Sequence, residues 1–195
     1  MNNQKIKLWT RQNKKILDDI NNNNLYIVKE EYLKEKLGDI TSFYIKTYNW
    51  YNKKANEIVK KPDYVRFPIW LSMSNDIMLQ PTRDTVILEL EVDKDLVIEI
   101  DPEKWGKIVN YFYVPLDKDD ELNHEKELLK IGINDESALF MSSKGNFYPL
   151  MKRKIEKSWD RLFDYSYSLS TIKHATLWEI KKEWIVKIYD YNGDE

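Results

Sequence analysis

Apolar and polar positions alternate most clearly over Thr85–Val92, where Val86, Leu88, Leu90 and Val92 fall on one side and Glu89 and Glu91 on the other. A period of two is that of a strand with one face buried and one in water. Asp93-Lys94-Asp95 then reads as a turn into a second strand, Leu96–Ile100. Asp101-Pro102-Glu103 reads as a helix start, an N-cap followed by proline at the first helical position. Elsewhere the spacing is helical: Phe43, Tyr44, Tyr48, Tyr51, Ala55, Ile58 and Val59 recur at intervals of three and four after Thr41, with Pro62 as the stop.

The remaining segments are shorter. Ile6–Trp9 predicts a strand, after which Thr10 would cap a helix through Ile16, Leu17 and Ile20 that ends in the asparagine run 21–24. Leu25–Val28 predicts a short extended piece. Arg66–Leu71 has strand composition, and Pro68 confines it to a sheet edge or to the first residues of a strand. Residues 117–130 carry acids in front and lysines behind, the order that suits a helix dipole. Gly132 would stop that helix, Asn134 would cap a short one through Phe140, and 148–163 predicts a long basic helix. The chain closes with two strands, Ala175–Ile180 and Trp184–Tyr189, joined by a turn at Lys181–Glu183. Helices and strands mix without strict alternation. The expected fold is therefore α+β, one compact domain with a mixed, largely antiparallel sheet and flanking helices.

Composition changes this picture mainly by exclusion. The 195 residues carry 31 Lys+Arg against 33 Asp+Glu, a net charge of −2, so no global field draws the chain to nucleic acid or anionic lipid. Lys152, Arg153, Lys154, Lys157 and Arg161 form a basic run, but Glu156 and Asp160 interrupt it, and a solvated helix face is expected there. There is no cysteine, which removes thiolate chemistry and disulfides. No apolar run is long enough for a membrane span, and the first residues lack the pattern of a secretion signal, so a cytoplasmic location is expected.

Candidate chemistry is sparse. Five glycines form no phosphate-binding loop. Of the two histidines, His124 sits in the charged helix and is expected in solvent, whereas His174 opens a C-terminal strand. Glu89 and Glu91 share a strand face and could act as an acid/base pair if they met a cleft, though a solvated face is expected. Asp117, Asp119 and Asp120 lack the Gly and Glu of a calcium loop and read as a helix start. The unusual quantity is aromatic content, 13%, with seven Trp and thirteen Tyr, which suits cores, stacking pockets and interfaces alike.

The order and spacing of the tryptophans carry a resemblance. Leu8-Trp9-Thr10-Arg11-Gln12, Phe67-Pro68-Ile69-Trp70, Leu88-Glu89-Leu90-Glu91-Val92, Asp101 with Trp105, Ser158-Trp159, and His174-Ala175-Thr176-Leu177-Trp178-Glu179-Ile180 together resemble the DUF3841 family of bacteria and phages, a domain of unknown function. More distantly the order of elements resembles ADP-ribosyltransferase-like domains, which take NAD between a first strand bearing His or Arg and a last strand bearing the catalytic Glu. That likeness implies that the first and last strands sit together, with Trp9 or Arg11 on the first, Tyr48 or Tyr51 for stacking, and His174, Thr176 or Glu179 on the last. Alternation puts Thr176 and Trp178 on one face and Glu179 on the other, so binding is expected rather than turnover. The expected site is a nucleotide or NAD-related ligand pocket formed by Trp9, Arg11, Gln12, Tyr48, Trp70, His174 and Glu179. The alternative is a protein-interaction module, such as a phage inhibitor of a host defence protein, anchored by exposed Tyr and Trp.

Overall fold

A computed structural model describes residues 4–191 and 193. The chain divides into two compact units, one formed by the chain up to Glu99 and from Lys173 onward, the other by Ile100–Ile172. Helices and a largely antiparallel sheet give the α+β class expected from the sequence.

The first unit contains β1 (Lys5–Asn13), α1 (Ile16–Asn23), β2 (Leu25–Tyr26), α2 (Glu30–Leu37), α3 (Thr41–Ile58), β3 (Ile69–Ser72), β4 (Thr85–Asp93), β5 (Ile98–Ile100), β6 (His174–Leu177), β7 (Ile180–Lys181) and β8 (Ile185–Tyr189). Six strands form one sheet in the order β5-β6-β3-β1-β4-β8, and β2 pairs with β7. The ladders joining β1 to β3 and β4, β3 to β6, and β4 to β8 are antiparallel. The longest runs from Lys5 opposite Asp93 to Asn13 opposite Thr85.

Alternation along β4 does what the sequence implies on one side. Val86, Leu88, Leu90 and Val92 join Leu8, Leu71, Ala175 and Leu177 in a buried aliphatic face, covered by Ile16 and Ile20 of α1. Fully burying such a side chain contributes roughly 1.5–3 kcal/mol. The opposite face is not simply wet: Ile87 and Glu89 are buried there too. Over β6 it carries α3, whose Tyr51 hydroxyl lies 2.5 Å from Thr176 Oγ1.

Two expectations for this unit are corrected. Thr10 caps no helix. It continues β1 opposite Leu88, and its hydroxyl donates to the Trp70 carbonyl at 2.8 Å. The nine-residue β4 offers backbone partners beyond Trp9, so the ladder prevails over a local cap. α1 starts later, behind a turn in which Asn13 Oδ1 accepts from the Lys15 N–H. Pro68 stands immediately before β3, at the start of the strand, the second of the two places expected for it. Its missing N–H lies outside the ladder, and β3 itself lies inside the sheet, between β6 and β1. The two closing strands form no hairpin either. Ile180–Lys181 turns aside to pair with β2, and a 3-10 turn at Lys182–Trp184 delivers β8 to the open edge of β4.

The second unit contains α4 (Pro102–Val109), α5 (Lys118–Lys130), α6 (Ala138–Met141) and α7 (Pro149–Ser158). Asp101 caps α4 as predicted, accepting from the Glu103 and Lys104 N–H groups, and Asp117 caps α5 through the Asp120 N–H. Asp135, rather than Asn134, accepts from the Ser137 N–H ahead of α6. α4 and α5 end in the same paired 6→1 and 5→2 bonding. Gly132, at φ 71°, terminates α5, whereas Tyr111, at φ 61°, holds the equivalent position after α4. A left-handed tyrosine is strained. Its buried ring compensates by packing 4.9 Å from Phe140 and 5.8 Å from Trp159, and burial pushes its hydroxyl pKa up to about 12.

The predicted long basic helix is shorter. From Trp159 to Phe163 it tightens into a 3-10 turn. There Trp159 Nε1 donates to the Phe112 carbonyl, and the buried Lys104 ammonium donates to the carbonyls of Arg161 and Asp164 at 3.0 and 2.7 Å. His124 is the other correction. Only 2% exposed, it stacks on Tyr113 with ring centroids 4.0 Å apart, and its Nε2 lies 3.4 Å from Glu136. It stands one helical turn from Leu128 on the inward stripe of α5, which the surrounding charge conceals in the sequence.

Candidate functional site

Strand register places the predicted residues. His174 lies opposite Ser72, Ser72 opposite Trp9, and Trp9 opposite Glu89, so one row of the sheet carries His174, Trp9 and Glu89 on the same face. Trp70 is on that face two residues from Ser72, and Tyr48 packs on it with centroids 6.1 Å apart. Tyr51 approaches the same indole at 5.3 Å. Burial raises the pKa of the Tyr48 hydroxyl and lowers that of the half-buried His174. At this end of the sheet the aromatics are the packing between α3 and the strands.

Glu89, expected in solvent beside Glu91, is enclosed. Its carboxylate accepts from Lys7 Nζ at 2.8 Å and from the Tyr189 hydroxyl at 2.7 Å. These two bonds, with smaller help from Trp9, hold its pKa below the usual glutamate value. A carboxylate so fully engaged is an ionised anchor between β1, β4 and β8, not an acid poised to give up a proton.

Arg11 and Gln12 line a different place. β1 passes into α1 beside a cavity of about 360 Å³ bordered by Arg11, Gln12, Lys15, Tyr26, Tyr32 and Glu35, among others. Alternation sends Gln12 to the aliphatic side of the sheet, where its amide closes the end of the core. Nε2 donates to Thr10 Oγ1 at 2.8 Å, and Oε1 accepts from the Tyr26 hydroxyl at 3.3 Å. Burial pushes the Tyr26 pKa up, so the phenol stays a donor. Arg11 is exposed and reaches the Gln80 carbonyl at 3.4 Å. Lys15 stands 4.0 Å from Glu35. Local spacing marks neither Lys15 nor Tyr26 nor Tyr32 as a site residue, since they border one cavity with β1 only once β2 and α2 are in place.

Glu179 is in a third place, beyond the end of β6. It accepts from the Tyr64 hydroxyl at 2.6 Å and lies 3.9 Å from Lys181, next to a cavity of about 90 Å³ bordered by Trp178 and Trp184. Trp178 Nε1 is spent on the Val59 carbonyl at 2.9 Å. The expected adjacency of first and last strands does not occur, because β3 intervenes between β1 and β6. Trp9, Tyr48, Trp70 and His174 therefore share a sheet face, Arg11 and Gln12 share a cavity, and Glu179 stands apart from both.

Among the described residues no group of three or more acidic or histidine side chains could hold a metal ion, and no helix is long and apolar enough to cross a membrane. No curated protein and no solved structure matches the chain. The family model that does match, described as domain of unknown function DUF3841, covers residues 7–186, and the chain belongs to that family.

Proposed function

We propose that the protein binds a small nucleotide-related ligand in the cavity between β1 and α1. The observation that carries the reading is the lining: the cations Arg11 and Lys15, the rings of Tyr26 and Tyr32 and the amide of Gln12, fixed at both ends, border one cavity. Cations suit a phosphate, tyrosine faces suit a base or ribose, and a fixed amide supplies orientation. At about 360 Å³ the space lies at the small end of ligand sites, which span ~300–1,000 Å³. One nucleotide fits that scale, and a dinucleotide such as NAD would leave its second half in solvent. Glu35 faces Lys15 at the rim and would have to yield it to an incoming phosphate.

Thermal-shift titration with AMP, a cyclic nucleotide, ADP-ribose and NAD tests the reading. Ligand at about a hundred times Kd stabilises the folded state by ~2.7 kcal/mol and raises Tm. Arg11→Ala should abolish that rise while leaving the Tm of the free protein unchanged, because the Arg11 side chain is exposed. No rise with any of the four ligands sinks the reading.

A further inference from the structure

The second unit carries two unlike apolar features. The first is a projection. Phe147 and Leu150, 79% and 75% exposed, are the two most exposed large apolar side chains among the described residues. They flank the start of α7 on a fixed support. The Ser143–Asn146 turn lies so close to α6 that a Cβ on Gly145 would come within 1.7 Å of the Leu139 carbonyl oxygen. The Phe147 N–H donates to the Lys144 carbonyl within that turn, and Pro149 sets the first helical residue. Residues 142–158 hold five cations and one carboxylate, in a chain whose net charge is −2. Of those cations Lys154 is engaged by Glu127, whereas Lys144, Arg153 and Lys157 are exposed around the apolar pair.

The second feature is a groove of about 660 Å³. Its apolar lining comes from Phe112, Leu128, Leu129 and Ile133, and its charged lining is wholly acidic: Glu125, Asp135 and Glu136. Leu129 is 66% exposed. Projection and groove are neighbours, since the Tyr148 hydroxyl donates to the Ile131 carbonyl, in the strip of chain that supplies Leu129 and Ile133. Phe147 nevertheless stands out in solvent and does not fill the groove of its own chain.

We propose that the occupant of the groove is the Phe147–Leu150 projection of a second copy of this chain. Both halves of the contact are on the molecule, matched in kind: an apolar knob ringed by cations against an apolar groove ringed by carboxylates. Because the two sit side by side, a two-fold axis lets each copy give its knob and receive its partner's, so that the contact is made twice and closes. A rigid turn presents the knob already ordered, which lowers the entropic cost of docking. Opposite charges at the rim steer association and make it sensitive to salt.

Sedimentation velocity on the full chain at tens of micromolar tests this. The wild type should sediment as a dimer at low salt and dissociate at least tenfold more readily at high salt. Phe147→Asp and Leu129→Lys should each be monomeric with unchanged Tm. An equimolar mixture of the two should associate more than either alone, because one retains its groove and the other its knob. Should either variant melt early, Leu150→Asp and Glu125→Lys replace them. A monomeric wild type, a dimer that survives Phe147→Asp, or a mixture no more associated than its components overturns the proposal. The last result would mean that Phe147 meets its own symmetry copy rather than the groove.

Discussion

The sheet and the segment inserted between β5 and β6 bury different chemistry. The sheet is built round an almost purely aliphatic face, Leu8, Leu71, Val86, Leu88, Leu90, Val92, Ala175 and Leu177, shared by four strands. The insert encloses an aromatic cluster at Trp159 and Tyr111, and with it Asp101, Lys104, His124 and Ser158, all buried. Aliphatic burial is non-directional and tolerates any arrangement that excludes water. Asp101, Lys104 and Ser158 each have particular partners instead. Asp101 Oδ2 accepts from the N–H groups of Leu169 and Ser170, and Ser158 Oγ accepts from the Val114 N–H. The sheet is thus held by pattern and the insert by pairings.

That contrast can be broken most forcefully at the sheet. Leu88 is fully buried on a central strand and packs within the aliphatic cluster. Leu88→Ala should cost ~2–5 kcal/mol from lost transfer and the cavity left behind. Urea unfolding followed by Trp fluorescence reads the loss. A cost below ~1 kcal/mol would mean that the face collapses around the gap and is not close-packed.

The matching test in the insert is Lys104→Met, which keeps the length of the side chain and removes its ammonium. Burial lowers the pKa of this lysine against the opposing pull of Asp101 and Asp164, so the charge sits at some cost to the fold. Its removal leaves the carbonyls of Arg161 and Asp164 without a donor, at ~1–3 kcal/mol. The variant should unfold at lower urea with less change than Leu88→Ala produces. A neutral or stabilising result would show that hydrophobic packing can replace the pairing, and would erase the distinction between the two units.

What could be read in advance follows the same line. The apolar side of β4, the Asp101 cap, the helix start at residues 117–120 and Tyr48, Tyr51 and Ala55 of α3 are local signals that stand where the sequence puts them, whereas Glu89 of β4 is buried and Phe43 and Ile58 of the expected α3 stripe are exposed. Thr10 carries a local capping signal that would end β1 at Trp9, while the ladder that overrides it comes from residues far along the chain. Adjacency in sequence makes a hairpin of β6 and β8 and says nothing about β2, which diverts Ile180–Lys181. His124 looks solvated in the sequence because its four-residue spacing from Leu128 is faint among so many charges. The site is the least legible: position at the two ends of the chain groups Trp9, Arg11, Gln12 and Glu179, whereas alternation and the intervening β3 separate Trp9 and Glu179 from the other two. Arg11 and Gln12 share a cavity because the turn after β1 is local, and Trp9, Trp70 and His174 come to one face only through strand register, with Tyr48 packed on it.

The smallest expected effect compares the units by acid. Each contains a carboxylate with a depressed pKa, for different reasons. Glu89 in the sheet is lowered by the Lys7 and Tyr189 hydrogen bonds. For Asp120 in the insert burial acts in the opposite direction and is outweighed by the Leu116 N–H, the Tyr113 hydroxyl and Arg161. A group whose folded pKa lies below its unfolded value, ~4.3 for Glu and ~3.9 for Asp, stabilises fully above that value. The contribution fades as pH falls from there through the folded pKa. Stability should therefore be flat near neutrality and decline below about pH 5. Glu89→Gln and Asp120→Asn should each lower stability at pH 7 and flatten the acid decline, which urea midpoints between pH 3 and 7 would read. Because Asp120 gathers bonds from three partners while Glu89 is bound chiefly by two, Asp120→Asn should flatten it more. The reverse order would mean that the sheet, and not the insert, depends more on its polar pairings.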